Sequence, residues 1–377
     1  MRTVFKIFKM IIGILVSIIG MIVLIAVIFI NTSPEFGAKS DGLRLEKIKA
    51  SKNFKDGKFQ NLTETDVSGD MNYVKTLSEY FTDGNKVPDW NIPVKKISSE
   101  TIAKTLDSTT KITWFGHSAL LLELDGKKVF LDPMLGNVPA PHPLLGSMRF
   151  NDTLPLAIEN IPNLDAVIIS HDHYDHLDYG SIKKLKDRVG HFYVPLGVGA
   201  HLISWGVSEE KITEMDWWET ISFDGIQLTA TPSRHFSGRG VTDRFNTQWS
   251  SWVIKGQKDN IYFSGDSGYD THFKEIGDKY GPFDMAIMEC GQYDAQWPLI
   301  HMMPEETVQA TIDVNAKLLL PIHWGAFKLG LHSWTDPIER VTTEAIAKNV
   351  PITTPIIGEA VTIGEPIPTS EWWKQNN

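Results

Sequence analysis

The segment Ser170-His171-Asp172-His173-Tyr174-Asp175-His176-Leu177-Asp178 sets three imidazoles and three carboxylates within nine residues, directly after the apolar run Leu164-Asp165-Ala166-Val167-Ile168-Ile169. An apolar run of that length ending in a polar cluster predicts a buried strand that delivers a loop to the edge of a sheet. His171 and His173 are two apart, so on an extended loop their rings leave the same side and converge on one cation. Asp175 and His176 follow where the chain turns toward the helical-looking stretch Gly180 to Leu185, and there they meet a second cation. Imidazoles crowded beside carboxylates repay their desolvation when something cationic sits between them. The loop therefore predicts ligands for two metal ions.

Three later stretches repeat the pattern of an apolar strand ending in one metal-competent residue. Thr231-Pro232-Ser233-Arg234-His235 ends in His235, Ile261-Tyr262-Phe263-Ser264-Gly265-Asp266-Ser267-Gly268 presents Asp266 between glycines, and Leu320-Pro321-Ile322-His323-Trp324-Gly325 presents His323. Each alone is weak, because a strand-end Asp or His is often a cap or a solvated turn. Their order behind the first loop makes the set specific. Earlier, Lys111-Ile112-Thr113-Trp114-Phe115-Gly116-His117-Ser118 opens a strand pattern, and Asp125-Gly126 between two apolar runs predicts a hairpin. His117 at a strand end is either a structural histidine or a residue beside the site. From His191 onward short strands alternate with helical stretches, among them Glu305 to Val314 with Pro304 at its first turn.

Met10 to Ile30 carries no charge, and as a helix its 21 residues rise about 31 Å, close to the thickness of a bilayer's hydrocarbon core. Arg2, Lys6 and Lys9 precede it, while Glu35 and Asp41 with the single Lys39 follow. The bias predicts a single-pass anchor with the N-terminus (residues 1–9) in the cytoplasm and the remainder beyond the membrane. No small-x-small cleavage site follows Ile30, which favours an uncleaved anchor over a signal peptide. Residues 31–110 are polar, weakly periodic and free of histidine, and read as a spacer that partly packs on the body.

A formal charge of −10 excludes a broad nucleic-acid footprint, which needs clustered Lys and Arg. The lone Cys290 excludes an intramolecular disulfide and a cysteine-based zinc site, and reads as a buried apolar residue on a strand.

With these motifs in place, the chain resembles the metallo-β-lactamase superfamily from roughly Lys111 to Gly364. The resemblance implies a four-layer αββα sandwich, an α/β fold, over residues 111–377. It further implies two Zn2+: His171, His173 and His235 hold one, Asp175, His176 and His323 the other, and Asp266 bridges them. His173 stands where diiron redox relatives carry Glu, which favours a hydrolytic zinc pair. Trp114-Phe115-Gly116-His117-Ser118, His235-Phe236-Ser237-Gly238-Arg239, His301-Met302-Met303-Pro304-Glu305-Glu306 and the upstream Gly57-Lys58-Phe59-Gln60-Asn61 look like the branch containing N-acylphosphatidylethanolamine-hydrolysing phospholipase D. Gly291-Gln292-Tyr293 is similar in placement to that branch's Gly-Ala-Tyr loop but departs in detail. Asp175, Asp266 and His301 are thus the candidate catalytic residues, and His117, Tyr293 and His301 the candidate substrate contacts.

The implied activity is hydrolysis of a phosphodiester in a phospholipid or other small ester by a hydroxide shared between the metals. A lactone or carboxylic ester hydrolase on the same scaffold is the alternative, since a fold does not settle the bond cleaved. A non-catalytic anchored sensor would have shed ligands, and all seven positions are filled. Oligomeric state is not legible.

Overall fold

The computed structural model describes residues 2–69, 71–82, 84–103 and 109–374. Residue 1 of the expected cytoplasmic segment, residues 70, 83 and 104–108 of the expected spacer and the last three residues of the expected catalytic domain lie outside the described residues.

The chain begins with α1 (Arg2–Thr32), α2 (Gly42–Ala50), a hairpin of β1 (Phe54–Lys55) and β2 (Lys58–Phe59), α3 (Tyr73–Phe81) and α4 (Ser99–Ala103). The body follows with β3 (Lys111–Trp114), β4 (Leu120–Leu124), β5 (Lys127–Leu131), β6 (Leu164–Ile168), α5 (Tyr179–Leu185), β7 (Val189–Pro195), α6 (Gly199–Ser204) and β8 (Ile212–Met215). Next come β9 (Thr220–Phe223), β10 (Ile226–Thr231), β11 (Ser251–Lys255), β12 (Asn260–Phe263), α7 (His272–Tyr280), β13 (Met285–Glu289) and α8 (Pro304–Asp313). The last elements are β14 (Leu319–Ile322), α9 (Asp336–Ala347) and β15 (Ala360–Thr362).

Two mixed sheets form, one ordered β15-β3-β4-β5-β6-β7-β8 and the other β14-β13-β12-β11-β10-β9. The alternation along β4 explains the layering. Leu120, Leu122 and Leu124 enter the core between the sheets with Trp252 and Ile254, while Leu121 faces outward with Phe130, Val167 and the α5 residues Ile182 and Leu185. A strand buried on both faces has to be covered on both, which demands helices outside the sheet pair. On the far side Val308 of α8 and Ile338 and Val341 of α9 join the core. The αββα sandwich expected from the resemblance is the observed fold.

The Asp125-Gly126 hairpin is present between β4 and β5, with both residues at positive φ (51° and 75°). The helix expected from Glu305 is α8, with Pro304 at its start, and Cys290 is fully buried just past β13. At the N-terminus the uncharged run 10–30 lies within the longer α1, because Arg and Lys before it are good helix formers. That helix is long and apolar enough to cross a membrane, and no residue of it is buried.

The segment read as a spacer is built into the body. Ile48 of α2 and Phe59 of β2 share a small core with Leu196, Trp217 and Trp249, and the Phe59 amide donates to the carbonyl of Phe245 at 2.9 Å.

Strand direction explains where chemistry collects. β5 runs parallel to β6, and β12, β13 and β14 run parallel to one another, while β3 and β10 return to those directions through the antiparallel strands β4 and β11. Their C-terminal ends therefore share one edge of the sandwich.

Candidate metal centre

At that edge β6 delivers the histidine loop, β10 His235, β12 Asp266, β14 His323 and β3 His117. The side chains form two adjoining donor groups, His171, His173, His235 and Asp266 in one and His117, Asp175, His176 and His323 in the other, and a third, Asp266, Glu289, His301 and His323, shares a residue with each. In the first, His173 Nδ1 lies 2.9 Å from His171 Nε2 and 3.2 Å from His235 Nε2. In the second, His176 Nε2 lies 3.4 Å from Asp175 Oδ2, and His323 Nε2 lies 4.0 Å from the same oxygen. Asp266 reaches both: its Oδ2 is 3.7 Å from His171, 3.8 Å from His235 and 3.1 Å from His176, and its Oδ1 is 3.2 Å from His323.

The donors present fit a metal pair. Donors held tetrahedrally at ~2.0–2.1 Å from a zinc ion would lie roughly 3.3 Å apart, within the 2.9–4.0 Å range of the separations here. His176 Nε2 and Asp266 Oδ1 are buried and face other donor atoms at 3.1 and 3.2 Å without making a hydrogen bond among the described residues. Buried polar atoms that crowd together in this way leave lone pairs that a cation would satisfy.

The far nitrogens of the rings are tied down. Asp132 accepts from His176 Nδ1 at 2.7 Å, the Ile300 carbonyl accepts from His235 Nδ1 at 2.9 Å, and the Ser170 hydroxyl pairs with His171 Nδ1 at 2.9 Å, whereas the Ser118 hydroxyl pairs at 3.0 Å with His323 Nδ1, the nitrogen that also faces Asp266. Ser170 in turn donates to Asp132 at 2.6 Å. Partners of this kind settle which ring nitrogen faces the metal and how the ring is turned.

Burial lowers His171, His235 and His323 well below the ordinary imidazole range and takes His173 to about 4. These rings are neutral and keep a lone pair for a cation. His176 moves upward, its burial outweighed by Asp266 and Asp175. Asp175 is held well below the carboxylate range, its burial outweighed by His176 and by the hydrogen bond from His117.

Backbone strain gathers here too. His117, Asp132, Gln292 and His323 all have positive φ (54°, 40°, 64° and 67°), an unusual state for residues with a Cβ and one that clusters at functional sites. At Gly265, with φ of 56°, a Cβ would stand 2.7 Å from the Ser170 Cβ, so glycine is required for Asp266 to come beside the histidine loop.

The Beta-lactamase superfamily domain matches residues 127–324. The N-acyl-phosphatidylethanolamine-hydrolyzing phospholipase D 1 of Caenorhabditis elegans is 32% identical over 268 residues, covering 68% of this chain and 74% of that protein. The chain belongs to the metallo-β-lactamase superfamily. An uncharacterised protein of Mycobacterium tuberculosis is 36% identical over 349 residues, covering 91% of this chain and 93% of its own. Among solved structures, an isothiocyanate hydrolase from Delia radicum gut bacteria superposes with a TM-score of 0.54 at 21% identity, over 67% of this chain and 98% of that one. In this metallo-β-lactamase superfamily member, the buried histidines and aspartates are the candidate metal centre of a metal-dependent hydrolase.

Beside the centre lies a pocket of about 280 Å³ whose wall includes His173, Asp175, His235, Asp266, His301 and His323 together with Val67, Met71, Phe236, Arg244, Gln292, Trp297, Ile300 and Leu329. His301 stands at this pocket, its Nδ1 held at 3.0 Å by Glu289 and its ring stacked 5.2 Å from His323. His117 is fully buried with Nε2 2.9 Å from Asp175, so it meets the second donor group and not the pocket.

Tyr293 does not reach the pocket, contrary to the substrate contact expected of it. Its hydroxyl donates to Asp336 and its ring lies 4.5 Å from His332. The neighbouring Gln292 lines the pocket instead, its side-chain amide donating to the carbonyls of His323 and Phe327 and accepting from the amides of Leu329 and Gly330.

Asp132, Glu289 and Asn61 were not anticipated. Asp132 and Glu289 each end an apolar strand, the same signal that exposed Asp266. Glu289 is buried, which raises it well above the carboxylate range, and its Oε1 accepts from the amides of Ser267 and Met302 at 3.2 and 2.9 Å. Asn61 pairs both amide atoms with the His235 backbone, donating at 2.8 Å and accepting at 3.1 Å. The upstream segment thus holds a metal-competent residue in place, although it supplies no ligand.

Proposed function

We propose that this protein is a membrane-anchored dinuclear zinc phosphodiesterase of phospholipase D type, acting on N-acyl or related phospholipids. The observation that carries the reading is Asp266, one carboxylate within 3.1–3.8 Å of imidazole nitrogens from both donor groups. On this reading His171, His173 and His235 hold one ion, Asp175, His176 and His323 the other, and Asp266 joins them. When bound, a zinc pair supplies a deprotonated water near neutral pH and positive charge beside the scissile group.

The chain's own residues supply the rest. Arg244, its guanidinium 5.1 Å from the Phe236 ring centroid, meets the phosphate charge. With Nδ1 committed to Glu289, His301 presents Nε2 to an oxygen of the bound ester. Met71, Trp297, Ile300 and Leu329 give the pocket apolar walls that exclude water and accept acyl chain. The name of the Caenorhabditis elegans relative supports the substrate class. The division into an anchor at 10–30, an extension at 31–110 and a catalytic unit at 111–377, with the N-terminus in the cytoplasm and the catalytic unit beyond the membrane, belongs to the same reading.

The test is turnover by the full chain in vesicles containing N-acylphosphatidylethanolamine, with and without added zinc, beside lactone and carboxylic ester substrates. Zinc-dependent release of phosphatidic acid is expected. Turnover confined to lactones or carboxylic esters overturns the assignment of the bond.

A further inference from the structure

We propose that the face surrounding the pocket mouth is a bilayer-contact surface, with α3 lying in the headgroup region of the leaflet that α1 leaves. The inference rests on reading α1 as a membrane span. Tyr73, Leu77 and Phe81 recur every fourth residue along α3 and Val74 sits beside them, so the four form one stripe. They are 61–81% exposed. The side of the helix bearing Thr76 and Tyr80 is tied to the body: Thr76 Oγ1 donates to Gln296 at 2.9 Å, and the Tyr80 carbonyl accepts from Lys328 Nζ at 2.9 Å. The clamp holds the stripe outward.

The same surface continues to the anchor. Lys328 exchanges hydrogen bonds with Ser147 at 3.0 and 3.2 Å, on a loop whose Leu144 and Met148 are exposed. That loop opens at His142, which packs edge-on against Phe29 in the last turns of α1 at 6.0 Å. From the other side Phe29 meets Phe36 at 5.4 Å, and Phe36 meets Tyr174, between His173 and Asp175, at 6.4 Å. The point where α1 ends is therefore two ring contacts from the metal loop. Met71, just before α3, and Leu329, next to Lys328, line the pocket mouth.

An apolar stripe of this kind, beside a span and bearing aromatic residues at both ends, has the chemistry of an element that sits at a lipid interface. A phospholipid leaflet is the occupant, and substrate enters the pocket sideways from it without crossing water.

The test places an environment-sensitive fluorophore on single cysteines in the full chain, reconstituted in phosphatidylcholine vesicles carrying nitroxide-labelled acyl chains. Leu77→Cys and Leu144→Cys report on the proposed face. Lys258→Cys is the control, because it precedes β12, whose other end delivers Asp266. Buried Cys290 escapes labelling, and unchanged thermal unfolding shows that each labelled chain is intact. Blue-shifted emission quenched by the nitroxide lipids is expected at 77 and 144, with neither effect at 258. Emission at 77 and 144 as water-like as at 258 overturns the proposal. So does a blue shift that the nitroxide leaves unquenched and that grows with protein density, since a second copy of the chain would then cover the face. No turnover is measured, so inactivity toward phospholipids would end the functional reading and leave this result standing.

Discussion

The two donor groups of the candidate metal centre are built differently. The half at His171, His173 and His235 is three neutral imidazoles, and the far nitrogens of His171 and His235 meet neutral groups, a serine hydroxyl and a backbone carbonyl. The half at Asp175, His176 and His323 brings its own carboxylate, and His176 is backed by a second one, Asp132. His117 adds a further imidazole against Asp175 at 2.9 Å. The first half is shaped mainly by geometry, whereas the second depends on charge. Asp266 is the one residue on which both rely.

The largest effect is expected at that shared residue. Asp266→Ala should remove both ions and lower hydrolysis by about 10³-fold, since the electrostatic support of the reaction goes with them. Retention of one tightly held metal, measured by elemental analysis of the purified protein, would show that the halves are independent.

Asp132→Asn should cost the second half about 10–100-fold in metal affinity by withdrawing the charge behind His176, while the first half keeps its ion. Titration of the metal-free chain with zinc separates the two, and equal weakening of both would erase the distinction. His117→Asn is a finer probe: two ions should still bind, with the weaker affinity falling about tenfold because Asp175 loses a hydrogen-bond partner. A stoichiometry of one would instead make His117 a direct ligand.

The smallest effect is expected away from both halves. Tyr293→Phe removes the hydroxyl that bonds Asp336 and should lower stability by about 1 kcal/mol in a denaturant titration, leaving kcat/KM unchanged. A rise in KM would return Tyr293 to the substrate site.

Residues of one short loop behind one strand were the easiest to read, because the strand's apolar run and the loop's crowded charges adjoin in the chain. His235, Asp266 and His323 were legible for the same reason, each ending its own strand. Asp132 and Glu289 carry that signal too, but nothing in the chain distinguishes a carboxylate that faces the edge from one that caps a turn. Tyr293 was misplaced because its ring and hydroxyl are claimed by His332 and, 43 residues along the chain, Asp336. Asn61 lies 174 residues from the His235 backbone it holds, so no local pattern reveals the pairing.

The strands that end in metal-competent residues, the candidate donors and the long apolar N-terminal helix were legible in the sequence by itself, because apolar periodicity and side-chain chemistry act over neighbouring residues. Tertiary packing alone decided that the polar N-terminal stretch walls the pocket and steadies His235, and that α3 turns its apolar stripe outward. The physical reason is that these outcomes depend on which distant surfaces are already buried when the segment docks.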